Sequence, residues 1–159
     1  MTQPIAPAGA LSHADLFHTA IVVDDIEAAK AEFGALLGLT WHEGGGKVTM
    51  QTAQGQSRVA TQYAISVEGP HHVELVQSTP GTLYTTNGST RAHHVGYWVD
   101  DVPTASEALV SSGLTNVVLI SFGGDRPPIT AYHEAGDGFW IELVARSMKP
   151  LLFPEPAAR

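Results

Sequence analysis

The chain contains no cysteine. Disulfides, thiolate catalysis and sulfur-ligated zinc or iron–sulfur centres are therefore excluded. No stretch approaches the roughly 18 consecutive apolar residues that a membrane-spanning helix needs. Residues Met1 to His13 also lack the basic stretch and apolar core of a secretory signal. The expectation is a cytoplasmic protein with no membrane partner. Positive charge is scarce, with eight Lys and Arg against sixteen Asp and Glu, for a formal net charge of −8. The cationic residues (Lys30, Lys47, Arg58, Arg91, Arg126, Arg146, Lys149 and Arg159) are scattered along the chain. Such a surface repels nucleic acid and anionic lipid, and argues against a polyanionic substrate such as a coenzyme A thioester.

Hydrophobic residues make up 43% and charged residues 15%, which describes a folded chain with a substantial core. Its organisation is an internal repeat. Phe17-His18-Thr19-Ala20-Ile21-Val22-Val23-Asp24-Asp25 returns as His93-His94-Val95-Gly96-Tyr97-Trp98-Val99-Asp100-Asp101. Val73-Glu74-Leu75-Val76 returns as Ile141-Glu142-Leu143-Val144. Each half thus has one apolar strand carrying a histidine and another carrying a glutamate.

Local signals extend the repeat. A strand over Leu16 to Val23 precedes Asp24-Asp25, which offers an N-cap to a helix with Ile26, Ala29, Phe33, Leu36 and Leu37 on its apolar face. Gly38 closes that helix. The Gly44-Gly45-Gly46 run reads as a turn before strands at about 47–53, 57–66 and 71–76. In the second half a strand over His94 to Val99 leads to a helix capped by Asp100-Asp101, with Pro103 in its first turn and Gly113 at its end. Strands follow at about 116–121, 129–134 and 139–145. The predicted organisation is a flexible arm (1–14), a βαβββ module (15–77), a linker rich in Ser, Thr, Pro and Gly (78–91), a second βαβββ module (92–146) and a C-terminal tail (147–159). The fold class is α+β, with two paired modules forming an open, curved sheet around a cleft.

Strand alternation sorts the faces. His18 shares a face with Ala20 and Val22, His94 with Gly96 and Trp98, Glu74 with His72, and Glu142 with Trp140 and Val144. The opposite faces (Ile21, Val23, Val73, Leu75, Val95, Val99, Ile141 and Leu143) are uniformly apolar and suit packing under helices. A lone histidine or glutamate in a strand is usually a hydrogen-bonded core or edge residue. Four of them matched pairwise by a repeat, on the faces that are not uniformly apolar, point to a metal site. A buried glutamate without a cationic partner is also expensive. Asp24-Asp25 and Asp100-Asp101 look like carboxylate pairs, but their place before two helices makes them caps.

With His18, Glu74, His94 and Glu142 at these places, the duplication resembles the vicinal oxygen chelate superfamily over about residues 16–146. That group contains the glyoxalase I, bleomycin-resistance and extradiol dioxygenase proteins. The chain looks most similar to its methylmalonyl-CoA epimerase and glyoxalase-like branch. The resemblance implies one divalent metal ion held by His18, Glu74, His94 and Glu142, a small-molecule substrate and a homodimer. A mixed nitrogen and oxygen donor set suits Mn, Fe, Co, Ni or Zn. Two positions left open on the ion would chelate neighbouring oxygens of a substrate. By resemblance to glyoxalase I, Glu142 is the first choice for the base and Glu74 the second.

Further candidates are His72 as an acid–base or supporting group, Trp98 and Trp140 as an aromatic wall, and Tyr132 or His133 facing the cleft. His93 falls on the opposite face and reads as structural. Methylmalonyl-CoA epimerases carry a catalytic glutamate just ahead of a Gln-Gly. Here the comparable stretch is Gln51-Thr52-Ala53-Gln54-Gly55-Gln56, so Gln54 becomes a substrate-binding candidate and two-base epimerisation by that pairing loses its second acid. The expected activity is a metal-dependent isomerase, epimerase or lyase working through an enolate on a small, largely uncharged hydroxy- or oxo-carbonyl compound. The alternatives are an iron-dependent ring-cleaving oxygenase, which would use two His and one Glu, and a non-catalytic protein that sequesters a hydrophobic small molecule.

Overall fold

The computed structural model describes residues 11–86 and 92–155. The first half supplies β1 (Leu16–Val23), α1 (Ile26–Leu37), β2 (Trp41–Thr52), β3 (Gly55–Ser66) and β4 (His72–Gln77). The second supplies β5 (Ala92–Val99), α2 (Val102–Ser111), β6 (Thr115–Ser121), β7 (Thr130–Ala135) and β8 (Phe139–Ala145), followed by the short α3 (Lys149–Leu152). The Asp25 side chain accepts the Ala28 N–H at 3.0 Å and Asp101 accepts that of Thr104 at 2.8 Å, so both helices start where the paired aspartates place them. Gly38 ends α1 with φ 68°, a left-handed conformation that favours glycine. No helix among the described residues is long and apolar enough to cross a membrane.

The eight strands form one mixed, closed sheet in the order β1-β4-β3-β2-β6-β7-β8-β5. An open sheet was expected, and closure is the main correction. Each half ends in two strands whose outer backbone groups need partners, and equivalent strands meet: β1 pairs antiparallel with β5, and β2 with β6. Alternation along a strand says which face is buried but not whether a free edge finds another.

The glycine run is a second correction. Gly44, Gly45 and Gly46 lie inside β2, which pairs continuously with β3 from Trp41↔Ser66 to Thr52↔Gly55. A Cβ at Gly44 would collide with the Tyr63 hydroxyl, and Gly45 has φ 144°. Glycine here lets two strands pass close together around an inward tyrosine; it does not turn the chain.

Apolar residues divide as the pattern requires. Under α1 lie Val23, Ala64 and Leu75 with Ile26 and Ala29; under α2 lie Val99, Ala131, Leu143 and Ala145 with Val102 and Leu109. Inside the barrel are two clusters. One holds Val22, Met50, Val76, Tyr84, Val118, Ile120 and Tyr132. The other holds Phe17, Ile65, Trp98 and Val144, covered by Met148, Leu152 and Phe153. Most of the arm expected over 1–14 lies outside the described residues, as do 87–91 of the linker and 156–159 of the tail. The linker residues that are described fold back on the barrel and bury Tyr84.

The two seams that close the barrel differ. β1 and β5 pair along most of their length, from Leu16↔Tyr97 to Ile21↔Ala92, whereas β2 and β6 pair only over Thr49–Gln51 and Leu119–Ser121. Local opening should therefore begin at the β2–β6 seam. Hydrogen exchange followed by mass spectrometry should show earlier deuteration of peptides spanning 117–121 than of those spanning 16–23 and 92–99. Equal protection would show that both seams close equally firmly.

Candidate metal centre

The β1–β5 seam builds the site. Across the parallel β1–β4 and β5–β8 pairs and the antiparallel β1–β5 pair, two rows of residues run side by side. In one row Glu74 is opposite Ala20, which is opposite His94; in the other Glu142 is opposite Gly96, which is opposite His18. Each row puts a carboxylate and an imidazole from different halves on either side of a small residue. The small residue is necessary, because a Cβ at Gly96 would enter the space of the His18 ring. Along β8 the inward residues run from Trp140 through Glu142 to Val144, so the polar group sits between the two interior clusters.

All four side chains are buried. His18 Nε2 lies 3.2 Å from His94 Nε2, 3.3 Å from Glu74 Oε2 and 3.1 Å from Glu142 Oε2. His94 Nε2 lies 3.4 Å from Glu74 Oε2 and 3.2 Å from Glu142 Oε2. One donor atom from each residue falls within 4.8 Å of all the others. Ligands bonded to a single ion at about 2.1 Å stand roughly 3.0–3.4 Å apart, so the donor set fits one first-row divalent ion. The charge fits as well: two carboxylates are buried with no buried lysine or arginine among the described residues, and a divalent cation would balance them.

Without an ion the imidazoles carry that charge. Burial alone would lower the His18 pKa, but Glu74 and Glu142 override it and hold His18 at about 10. His94 is also raised: burial opposes this, and the Glu142 carboxylate drives it. Burial favours the neutral acid for Glu142 and Glu74, yet the facing histidines keep both carboxyl groups below the ordinary range.

The quartet opens on a cavity of about 130 Å³. Its wall includes Val48, Val76, Ile120, Ile129 and Val144, with Met148 and Leu152 from the tail; Thr61, Gln62, Tyr63, Tyr84, Thr130 and Tyr132 add polar atoms. Among the described residues, the lining has no titratable acid or base other than tyrosine apart from His18, Glu74 and Glu142.

The remaining sequence candidates divide. Tyr132 faces the cavity, and its hydroxyl donates to Glu142 Oε1 at 2.7 Å. His133, one residue on, points the other way, under α2, with Nε2 2.8 Å from Ser106 Oγ; strand alternation allows only one of the two inside. His72 shares the face of Glu74 but turns toward the tail, donating Nδ1–H to the Ser66 carbonyl at 2.7 Å and packing on Phe153 at 4.4 Å. Trp98 stacks on Phe17 at 3.8 Å in the cluster under the tail, not beside the cavity. Trp140 backs His93 at 5.6 Å and is not among the cavity residues. Gln54 is exposed at the β2–β3 hairpin turn, remote from the quartet because the hairpin carries it outward.

Tyr63 and Tyr84 escaped the sequence reading, in which His93 is only structural. Tyr63 faces the cavity, a placement that depends on the Gly44 gap. His93 approaches His94, Nδ1 to Nδ1, at 2.8 Å. Tyr84, in the supposed linker, lies 2.6 Å from Tyr132, hydroxyl to hydroxyl. A signal for Tyr84 existed, since Leu83-Tyr84 is the one large apolar pair in a stretch of Ser, Thr, Pro, Gly and Asn.

The family sequence model of the Glyoxalase/Bleomycin resistance protein/Dioxygenase superfamily matches residues 17–127. No curated protein matches the chain. Among solved structures, a methylmalonyl-CoA epimerase aligns with TM-score 0.55 and 17% identity, over 82% of this chain and 93% of that one. The methylmalonyl-CoA epimerase from Mycobacterium tuberculosis aligns with TM-score 0.55 and 16% identity, over 90% and 93%. A variant of 4-hydroxymandelate synthase from Streptomyces coelicolor aligns with TM-score 0.56 and 14% identity, over 82% of this chain and 38% of that one. At such identities the likeness concerns the fold.

Two outcomes are expected. Gly96→Ala should displace the His18 ring and weaken divalent-metal binding at least about tenfold, read by calorimetric titration; unchanged affinity in a folded variant would remove His18 from the ligand set. In metal-free protein, His18 binds its proton more tightly folded than unfolded. Its stabilisation is therefore complete below pH 6.5 and is lost as the pH rises through about 10. The melting temperature in EDTA should fall over that interval, and saturating zinc should remove the slope by replacing the protons. A flat metal-free profile would contradict the charged pair.

Proposed function

We propose that this chain, which belongs to the glyoxalase/bleomycin resistance/dioxygenase superfamily, is a metal-dependent isomerase, epimerase or lyase. Its substrate is a small, largely uncharged hydroxy- or oxo-carbonyl compound. The observation that carries this reading is the buried convergence of His18, Glu74, His94 and Glu142 on a cavity whose remaining wall is neutral.

These four side chains would hold the divalent ion, which when bound supplies Lewis-acid polarisation of a carbonyl oxygen. The chain's own groups do the rest. A Glu74 or Glu142 oxygen takes the proton from the carbon beside the carbonyl, and the C–H electron pair moves into the enolate. Return of the proton to the other face of that carbon gives epimerisation; in a hydroxy-carbonyl compound its return to the former carbonyl carbon, with the hydroxyl proton passing to the former carbonyl oxygen, gives isomerisation; and loss of a leaving group from the next carbon gives a lyase. The Tyr63 hydroxyl and Thr61 stand at the wall to orient substrate oxygens, and the apolar wall excludes water that would otherwise exchange the proton.

Cavity size and polarity support the substrate class. An apolar cavity of about 150 Å³ accommodates a benzene ring, so a volume of about 130 Å³ suits a compact molecule. Among the described residues no lysine or arginine lines it, which argues against a phosphate or carboxylate handle held there. Convergence of all four groups favours proton transfer over ring cleavage, for which two His and one Glu suffice.

A metal-loaded sample in D₂O should place deuterium on the carbon beside the carbonyl of at least one compound in a panel of small hydroxy-ketones and oxo-aldehydes. Glu74→Gln and Glu142→Gln should each slow that exchange by about 10²–10⁴-fold. Oxygen consumption by an iron-loaded sample on catechols, without exchange, would establish the oxygenase instead. A folded protein that retains no metal yet binds apolar compounds would establish a sequestering role.

A further inference from the structure

A histidine that presents one bare nitrogen to a cation carries its proton on the other, and that proton needs an acceptor. For His94 the acceptor is His93, with Nδ1 to Nδ1 at 2.8 Å. His93 can accept there only with its own proton on Nε2. That nitrogen lies 3.0 Å from the Leu83 carbonyl oxygen, which can only accept. The carbonyl therefore sets the tautomer of His93, and His93 sets that of His94, leaving His94 Nε2 bare toward the quartet. Trp140, stacked on His93, holds the intermediate ring in place.

A second chain of the same kind reaches Glu142. Its Oε1 accepts from the Tyr132 hydroxyl at 2.7 Å. Tyr132 has then used its only proton, so the Tyr84 hydroxyl, 2.6 Å away, donates to it. The two chains start from adjacent residues, Leu83 and Tyr84, in the connection between the halves. That connection is folded on itself: Thr79 N–H donates to the Tyr84 carbonyl at 2.6 Å, the Thr82 hydroxyl to the Thr79 carbonyl at 2.8 Å, and Tyr84 N–H to the Thr82 hydroxyl at 3.0 Å. Ser78 N–H anchors it to the end of β1 through the Val23 carbonyl at 2.7 Å.

The other two ligand candidates lack such support. His18 Nδ1 is buried without a hydrogen-bond partner. Among the described residues the Glu74 carboxylate meets only the two imidazoles. We propose that the Leu83–Tyr84 connection is a positioning strap for the metal centre, fixing His94 through His93 and Glu142 through Tyr132 while His18 and Glu74 stay free to adjust. Of the two carboxylates, Glu74 is then the one able to turn toward a substrate. The strap rests on the metal-dependent reading above, and His93, Tyr84 and Tyr132 act through the ligands, not on the substrate.

The test is cobalt(II) titration of the full chain, followed by calorimetry and by the visible absorption of the bound ion. The variants are Tyr84→Phe, His93→Phe and His93→Asn, with circular dichroism reporting the fold. Tyr84→Phe and His93→Phe should bind cobalt about 10–100-fold more weakly and shift its absorption bands. His93→Asn, which keeps an acceptor near the Nδ1 position, should recover part of both. Tyr84→Phe removes a single oxygen, so it answers the question even if His93→Phe does not fold. Wild-type affinity and spectrum in folded Tyr84→Phe, or in folded His93→Phe, would refute the strap and leave the metal reading intact. Failure of the wild-type chain to bind cobalt or any other divalent ion would overturn that reading and the strap with it.

Discussion

Two carboxylates buried in a barrel interior where no lysine or arginine is buried among the described residues set the terms for the rest of the structure. An isolated buried carboxylate is several kcal/mol less favourable than one in water; among the described residues Glu74 is compensated by the two imidazoles that face it, and Glu142 by the same imidazoles and the Tyr132 hydroxyl. The small residues Ala20 and Gly96, the pairing of β1 with β5 and the apolar clusters at either end of the barrel all serve to bring those four groups to one point. Displacing any one of them would leave charge without a partner.

Much of this was legible in the residues. The His-to-Asp-Asp repeat marked the strands that meet at the seam, and period-two alternation placed His18, Glu74, His94 and Glu142 on one side with the helix-packing residues on the other. What alternation cannot give is a partner across space. It could not say that the sheet closes, because closure depends on whether the edges of β1 and β2 meet those of β5 and β6. It set Trp98, His72 and Trp140 on the inward face correctly, but not their height along the barrel, and each lies above or below the quartet. Glycine was ambiguous in itself: Gly44 to Gly46 carry the signature of a turn and instead make room for Tyr63. Composition misled at Tyr84, where short polar residues conceal one anchored ring.

Duplication explains the matched histidines and glutamates, and the departures from duplication explain their unequal surroundings. The counterpart of Gly96 is Ala20, and the counterpart of His93 is Phe17, which packs against the His18 ring edge-on at 4.4 Å and offers it no hydrogen bond. The connection between the halves occurs once, so it can lie against only one His–Glu pair. A two-fold pattern of donors is thus set in an environment with no two-fold symmetry, and a small molecule entering the cavity would meet a firm side and a compliant one.

The mixing of the two halves within each row has a consequence for how the chain holds together. His18 and Glu74 come from one half and His94 and Glu142 from the other, and each carboxylate lies beside the imidazole of the opposite half. An ion gripped by all four would join points spread over most of the sequence. It would act as a cross-link that closes long loops and reduces the freedom of the unfolded chain, as a disulfide does. In a protein without cysteine, such a bond could be made or removed by nothing more than the supply of metal.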